Sequence, residues 1–331
     1  MNHKENKIVW GIVAFLFCLI GLMGNSYNDY YNVNERTRKA VMAAFEDDNW
    51  QRIVDLCDRI YDRRGTVKDM TLIFATALEN TNQHRKAVRV LNDQIAIEPE
   101  NYYLYQTLGE IHQRRNESDE AIKAYQKAIE MAPAYARPYV YLGKIYQKKE
   151  ENDEAVKNYL QAIELFVNHD YYSEIIEYGS EILKMDEKHE RTLMLLQYAY
   201  MKKDQNREAL EVGKKLDAVL AEKGDNELRR VNSLFMGLAA YDSKDYELAL
   251  NLLTTAMKKR EGLEEYWYMA CCYLSATYSK LGDDIASQKY RDMAIKIEPK
   301  NAEEYIDWLI GPEKDLDSLI GHKKEEISLP I

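Results

Sequence analysis

The chain has 331 residues, enough to bury a sizeable core; 31% are charged, and only 14 are Gly and 6 are Pro. That balance favours helix and leaves little turn material for a β fold. The net charge of −11 repels phosphate backbones, and no local basic patch offsets it, which excludes nucleic acid as the expected partner.

Residues 1–7 form a short polar tail, followed by an unbroken apolar run, Ile8–Met23, IVWGIVAFLFCLIGLM. As a helix this run spans about 24 Å, and Gly24 with its interfacial neighbours extends it toward the ~30 Å of a hydrocarbon core. Trp10 lies near one end, and Tyr27, Tyr30 and Tyr31 lie beyond the other, where aromatic belts belong. Residues 8–24 are therefore read as a single-pass transmembrane anchor. A cleavable signal peptide stays open beside it, because Lys4 and Lys7 precede the run and the small residues of Gly24-Asn25-Ser26 follow it. The same two lysines place the N-terminus inside and the rest of the chain outside, on the periplasmic side of a bacterial inner membrane. Residues 25–33, NSYNDYYNV, read as a polar linker.

From residue 34 onward one pattern organises the chain. Tyr105/Tyr139, Leu108/Leu142, Gly109/Gly143, Ala121/Ala155, Tyr125/Tyr159 and Ala128/Ala162 coincide at an offset of 34. Within each copy the spacings lie on one face of each of two amphipathic helices, with a polar turn between them (Arg115–Asp119; Glu150–Asp153). Gly109 and Ala121 mark places where the two helices cross closely. One such pair cannot bury its own apolar face, whereas stacked neighbours can, so the period predicts an α-solenoid. Projected along the chain, it places repeats near 34–67, 68–101, 102–135, 136–169, 190–223, 230–263 and 268–301. Cys57 takes an aromatic place in the first repeat, and Pro99 closes the second. The register breaks at Tyr171–Met185, an amphipathic helix with no matching first half, either inserted or part of a distorted repeat. Gly224–Arg229 reads as a flexible joint. In the last repeat Ser275 and Arg291 stand at two core places. Ala302–Ile310 is expected to cap the open apolar end, and 311–331 is a tail.

The run of aromatic, Leu-Gly, aromatic or His, Ala, Tyr, Ala and then Pro133 resembles the tetratricopeptide repeat, nearly completely at Tyr102–Tyr135 and with variation over 34–301. The excess of Tyr (26) over Phe (6) fits, because the aromatic places of that repeat are often Tyr. The resemblance implies an all-α solenoid of antiparallel helix pairs that binds proteins or peptides along the groove lined by its first helices. Carried onto this chain, the groove places are Tyr103, Gln106, Glu110 and Gln113, then Arg137, Val140, Lys144 and Gln147 with Tyr141 beside them. In the later block they are Arg191, Met194, Tyr198 and Met201. Aromatic, Gln and Arg side chains suit an extended peptide or a partner helix. The Lys and Asn of the carboxylate clamp found in some relatives are replaced by Leu72, Thr76, Gln106 and Glu110, which disfavours capture of a chaperone's C-terminal tail.

Chemistry is sparse. The histidines His3, His84, His112, His169, His189 and His322 form no ligand spacing, and no Gly-rich phosphate loop or nucleophile motif occurs. The cysteines Cys18, Cys57, Cys271 and Cys272 have no zinc spacing and read as small buried hydrophobes. No catalytic residue, cofactor or metal is therefore expected. The expected function is a membrane-anchored, non-enzymatic scaffold for protein–protein interaction. N-terminally anchored tetratricopeptide proteins of bacterial envelopes are similar in layout, which implies work in assembly or quality control of envelope proteins. A signal-cleaved exported binding protein and a cytosol-facing adaptor are the alternatives.

Overall fold

A computed structural model describes residues 35–260, 262–264, 266–299 and 301–311. The anchor at 8–24, the linker at 25–33 and the tail beyond Gly311 lie outside the described residues. Among the described residues there is no strand, and no helix is long and apolar enough to cross a membrane. Two compact units divide between Ala155 and Val156.

Unit 1 begins with α1 (Glu35–Glu46) and α2 (Trp50–Arg64), then α3 (Thr71–Asn80) and α4 (His84–Ile97). It continues through α5 (Tyr102–Arg114), α6 (Ser118–Met131) and α7 (Ala136–Lys148) into α8 (Asn152–Val167), within which the division falls. Unit 2 continues with α9 (Tyr172–Met185), α10 (Glu190–Lys202), α11 (Asn206–Lys223), α12 (Asn226–Asp242) and α13 (Tyr246–Ala256). It ends with α14 (Trp267–Lys280), α15 (Asp284–Ile297) and α16 (Ala302–Ile310). Within each unit the chain is a TPR-like stack of antiparallel helix pairs.

Two turn types alternate. Between the first and second helix of a pair the chain turns in three residues, and the middle one is left-handed. These are Asp48, Asn82, Asn116 and Glu150 in unit 1, and Asp204, Lys244 and Gly282 in unit 2, with φ between 51° and 82°. The next backbone N–H then reaches back to close the first helix, as Glu117 N does to His112 O at 3.0 Å. Asp and Asn tolerate this conformation best among residues with a Cβ, which is why they recur at the place. Between pairs the connections vary: Ala132–Tyr135 has no left-handed residue, whereas Gly65, Lys68, Gly224 and Gly262 are left-handed in others.

This distinction resolves the break in register. Asp170, between α8 and α9, has φ 58°, and Tyr171 N donates to Phe166 O at 3.1 Å. The α8–α9 turn, one residue longer, closes as the within-pair turns do. The Tyr178 ring stacks on Tyr159 (5.7 Å between centroids) and on Phe166 (6.0 Å). So α9 is a second helix, and residues 156–167 of α8 serve as its first half, although the sequence pattern of α8 is that of a second helix.

The close crossings are built from glycine opposite a large side chain. A Cβ on Gly109 would lie 2.6 Å from the Tyr125 ring, and one on Gly237 would lie 2.7 Å from Leu253 Cγ. In α9 and α11 the glycine moves to the second helix: Gly179 meets Leu196, and Gly213 meets Met236. The last repeat has neither partner. There the buried Ser275 and Ser287 face each other, with Ser287 Oγ donating to Ser275 O at 2.9 Å, and Arg291 reaches Asp307 of α16 at 2.7 Å.

Three expectations are corrected. The joint at Gly224–Arg229 shrinks to two residues: Gly224 is left-handed (φ 74°), and Asp225 caps α12 by accepting from Leu228 N at 3.0 Å. Arg229 is already helical and makes two hydrogen bonds to Asp217, at 2.9 and 3.1 Å. A C-terminal glycine followed directly by an N-cap Asp lets two helices abut. The repeat at 230–263 also ends early, because the apolar period stops at Ala256 and Lys258, Lys259 and Arg260 follow. The connection beyond it still buries Leu263 and Tyr266. Finally, Tyr171–Met185 has a first half after all, in α8.

At the end of unit 2, α16 lays one face on the stack. Ala302, Ile306 and Leu309 are buried, while Glu303, Glu304 and Asp307 face out. Tyr241 Oη donates to Leu309 O, and Lys280 Nζ donates to Ile310 O, both at 2.6 Å, which satisfies carbonyls that the helix end leaves open.

Substituting Gly237→Ala tests the notch. Helix propensity gains about 1 kcal/mol, but overpacking against Leu253 Cγ and the nearby backbone costs about 1–3 kcal/mol. Thermal unfolding followed by circular dichroism should show a lower Tm; an equal or higher Tm would mean that the crossing relaxes freely.

Candidate interaction faces

In unit 1 the first helices α5 and α7 present one continuous polar and aromatic set. Tyr102, Tyr103 and Tyr135 form an aromatic cluster, with ring centroids 4.0 to 5.8 Å apart. Gln106 Nε2 donates to Glu110 Oε1 at 2.7 Å, and Tyr141 also hydrogen-bonds the Glu110 carboxyl. Tyr141 stacks on Tyr125 at 5.0 Å, and Tyr125 Oη donates to Gln113 Oε1 at 2.7 Å. Gln106, Glu110, Gln113 and Tyr141 are thus one network, anchored on the fully buried Tyr125. Tyr103, Arg137, Lys144 and Gln147 are half-buried around it. Two of the expected groove residues expose little: Val140 is 4% exposed and Gln106 is 5%. Both are the fifth residue of their first helix and lie beneath the face rather than on it.

Burial holds the Glu110 carboxyl above the usual carboxylate range. Hydrogen bonds from Gln106 and Tyr141 and the charges of Arg114 and Arg137 favour the anion, but burial outweighs them. Gln106 Oε1 has no hydrogen-bond partner although it is buried.

In unit 2 three of the four expected residues, Met194, Tyr198 and Met201, line one open depression together with Gln197, Val231, Asn232 and Phe235. Arg191 does not line it and pairs with Glu164 at 2.9 Å. Tyr198 is placed by an edge-on contact with Tyr172 (5.9 Å) and lies under Lys202 Nζ (5.4 Å). Two buried polar atoms at this depression lack partners: Gln197 Nε2 and Asn232 Oδ1. The other end of Asn232 is fixed, its Nδ2 donating to Gly213 O at 2.8 Å. Gln197 stands at the place that holds glycine in α5 and α7, so its amide enters the crossing beside Gly213.

One cluster was invisible in the sequence. His84, at the start of α4, and His112, in the last turn of α5, bring their rings to 6.1 Å at 80°. His112 Nδ1 lies 2.7 Å from Glu117 Oε2, and His84 Nε2 lies 3.6 Å from the same oxygen. On its other side His84 Nδ1 lies 3.1 Å from Glu79 Oε2. The Glu117 carboxyl is held below its usual range, chiefly by the hydrogen bond with His112. Glu79 and His84 come from the second repeat and His112 and Glu117 from the third, and only stacking of those repeats joins the two pairs.

A family model described as TPR repeat matches residues 109–150, and one described as tetratricopeptide repeat matches residues 136–166. Residues 109–166 are tetratricopeptide repeats. No curated protein matches this chain. Among solved structures, a chain of the APC/C hetero-tetramer Cut9–Hcn1 is similar with 14% identity and a TM-score of 0.39, covering 86% of this chain. This chain spans 58% of the length of that one. MamA is similar over 60% of this chain and 99% of its own, with 17% identity and a TM-score of 0.35. YrrB, described as a TPR protein with an unusual peptide-binding site, is similar over 66% of this chain and 97% of its own, with 18% identity and a TM-score of 0.32.

The folded chain keeps the Glu110 proton to higher pH than the unfolded chain does. The stability linked to this group is therefore full below the ordinary value of 4.5 and is lost as pH rises through the raised folded value. Glu110→Gln should raise Tm at pH 7.5 by a few °C, the shift that about 1 kcal/mol produces. The gain should shrink toward pH 4.5, and a gain independent of pH would mean that Glu110 is not the titrating group. Separately, burial pushes the Cys57 thiol up to about 12, Cys271 to about 11 and Cys272 to about 12. In a Cys18→Ser chain all three should be silent to Ellman's reagent at pH 8 and react only on unfolding.

Proposed function

We propose that this chain is a non-enzymatic scaffold, tethered to a membrane through residues 8–24, whose first-helix faces hold extended segments of partner proteins. Its tetratricopeptide scaffold is suited to protein–protein interaction. The observation that carries the proposal is the depression in unit 2 that Met194, Tyr198 and Met201 of one first helix line together with Val231 and Phe235 of the next. Met194, Met201 and Phe235 supply adaptable apolar contact there, and Tyr198 adds an aromatic face. In unit 1 the Tyr103, Glu110, Arg137 and Tyr141 face adds polar and aromatic contacts of the same kind. The peptide-binding site in the description of YrrB agrees in kind with this reading.

The apolar run Ile8–Met23, with its flanking aromatics, supports the tether, and the lysines before it support repeats on the periplasmic side of a bacterial inner membrane. In that place the scaffold would serve assembly or quality control of envelope proteins. Gly24-Asn25-Ser26 supports a second reading, release of the repeats by signal cleavage.

A photo-crosslinking residue at Met201 of the full-length chain tests the groove in cells. A discrete crosslinked partner is expected, and Met194→Ala with Tyr198→Ala should reduce it at least tenfold. Crosslinking left unchanged by those substitutions would remove the groove assignment. Protease treatment of intact spheroplasts carrying a C-terminally tagged chain tests location on a gel. Full length before digestion and cleavage from outside are expected. A shortened chain would favour release, and protection would turn the repeats to the cytosol.

A further inference from the structure

The edge of unit 1 where the second and third repeats meet gathers the histidines and glutamates described above. One ligand atom from each of His84, His112 and Glu117 lies within 4.8 Å of the other two. A tetrahedral zinc ion bound at about 2.0–2.1 Å sets neighbouring ligand atoms about 3.3 Å apart. The two separations from Glu117 Oε2, 2.7 and 3.6 Å, straddle that value. Small side-chain movements would therefore suffice to seat an ion.

Three further features separate this cluster from an ordinary hydrogen-bonded histidine. His112 alone satisfies Glu117 Oε2, which leaves His84 Nε2 facing the same oxygen beyond hydrogen-bond range. Glu79 takes the His84 Nδ1 hydrogen at 3.1 Å, so the lone pair of Nε2 is turned inward. A carboxylate behind an imidazole is how metal-binding histidines are oriented and made more basic. The charges also favour a cation: the Glu79 and Glu117 carboxylates flank the two imidazoles, with the Arg115 guanidinium 4.0 Å from Glu117. Both histidine side chains are 15% exposed and Glu79 is 10% exposed, so the site is sheltered yet reachable.

We propose that His84, His112 and Glu117 bind one divalent transition-metal ion of the zinc type, with Glu79 as the orienting carboxylate. Two imidazoles and one carboxylate suit zinc and its neighbours rather than magnesium or calcium, and a fourth position is left for water or a partner's side chain. The ligands come from both repeats, so the ion would act as a clip between them. The proposal does not depend on the peptide-binding reading of unit 2.

Chelator-treated full-length chain in mild detergent, titrated with Zn²⁺ by calorimetry, tests it. One equivalent should bind and raise Tm. His84→Gln and His112→Gln should each weaken binding at least 100-fold, and Glu79→Gln 10- to 100-fold. His169→Gln, outside the cluster, should leave it unchanged. No uptake by the wild-type chain, or uptake indifferent to the His84 and His112 substitutions, would overturn the proposal. If either variant fails to fold, imidazole ¹⁵N shifts of the wild-type chain decide the matter. Zn²⁺ should shift Nε2 of His84 and Nδ1 of His112, and the absence of both shifts overturns the proposal equally.

Discussion

The stack depends on one packing constraint: at a close crossing, one helix carries a glycine and the helix across from it carries a side chain that fills the missing volume. Gly109 with Tyr125 and Gly237 with Leu253 set this pairing within a repeat, and Gly213 with Met236 sets it between repeats. A solenoid has no central core, so each interface must be close-packed by itself. Where the pairing lapses, as at Ser275 and Ser287, hydrogen bonding between two small polar residues holds the crossing, and the freed place goes to Arg291. Arg291 then makes a partly exposed ion pair with Asp307. Such a pair contributes less than about 1 kcal/mol, so the last interface relies on the apolar face of α16.

Much of the fold was legible because the period is long and is written in small residues as well as large ones. Gly109/Gly143 and Tyr125/Tyr159 locate both helices of their pairs, and Asp or Asn in the turns locates the reversal. Less legible was α8, whose sequence pattern is that of a second helix while residues 156–167 also serve as the first helix to α9. Periodicity assigns one role to each helix, whereas a helix has two sides. The joint at Gly224 was misjudged for a related reason. A glycine in a run of polar residues suggests slack, but Asp225 turns it into a tight helix-to-helix corner.

The candidate faces were legible in part. Spacing placed Met194, Tyr198 and Met201 together, since residues 4 and 3 apart share a helix face. It could not show that Gln197, at a glycine place, would bury an amide without a partner, nor that Val140 would turn inward. The histidine cluster carried no signal, because its two halves, Glu79 with His84 and His112 with Glu117, belong to neighbouring repeats. Contacts across the stack of a repeat protein are set by which repeats are neighbours, and a motif search along one strand of sequence does not sample them.

The capping helix has a kinetic meaning. A body held only by nearest-neighbour interfaces unzips from its free edge, because an end repeat has half the contacts of an interior one. In unit 2 that edge is closed by nine residues, Ala302–Ile310. Two of its carbonyls are gripped from α12 and α14 through Tyr241 and Lys280. The helix thus acts as a stopper rather than a lid: the unit keeps its last pair for as long as α16 stays seated, and fraying at that end starts with the loss of this one short segment.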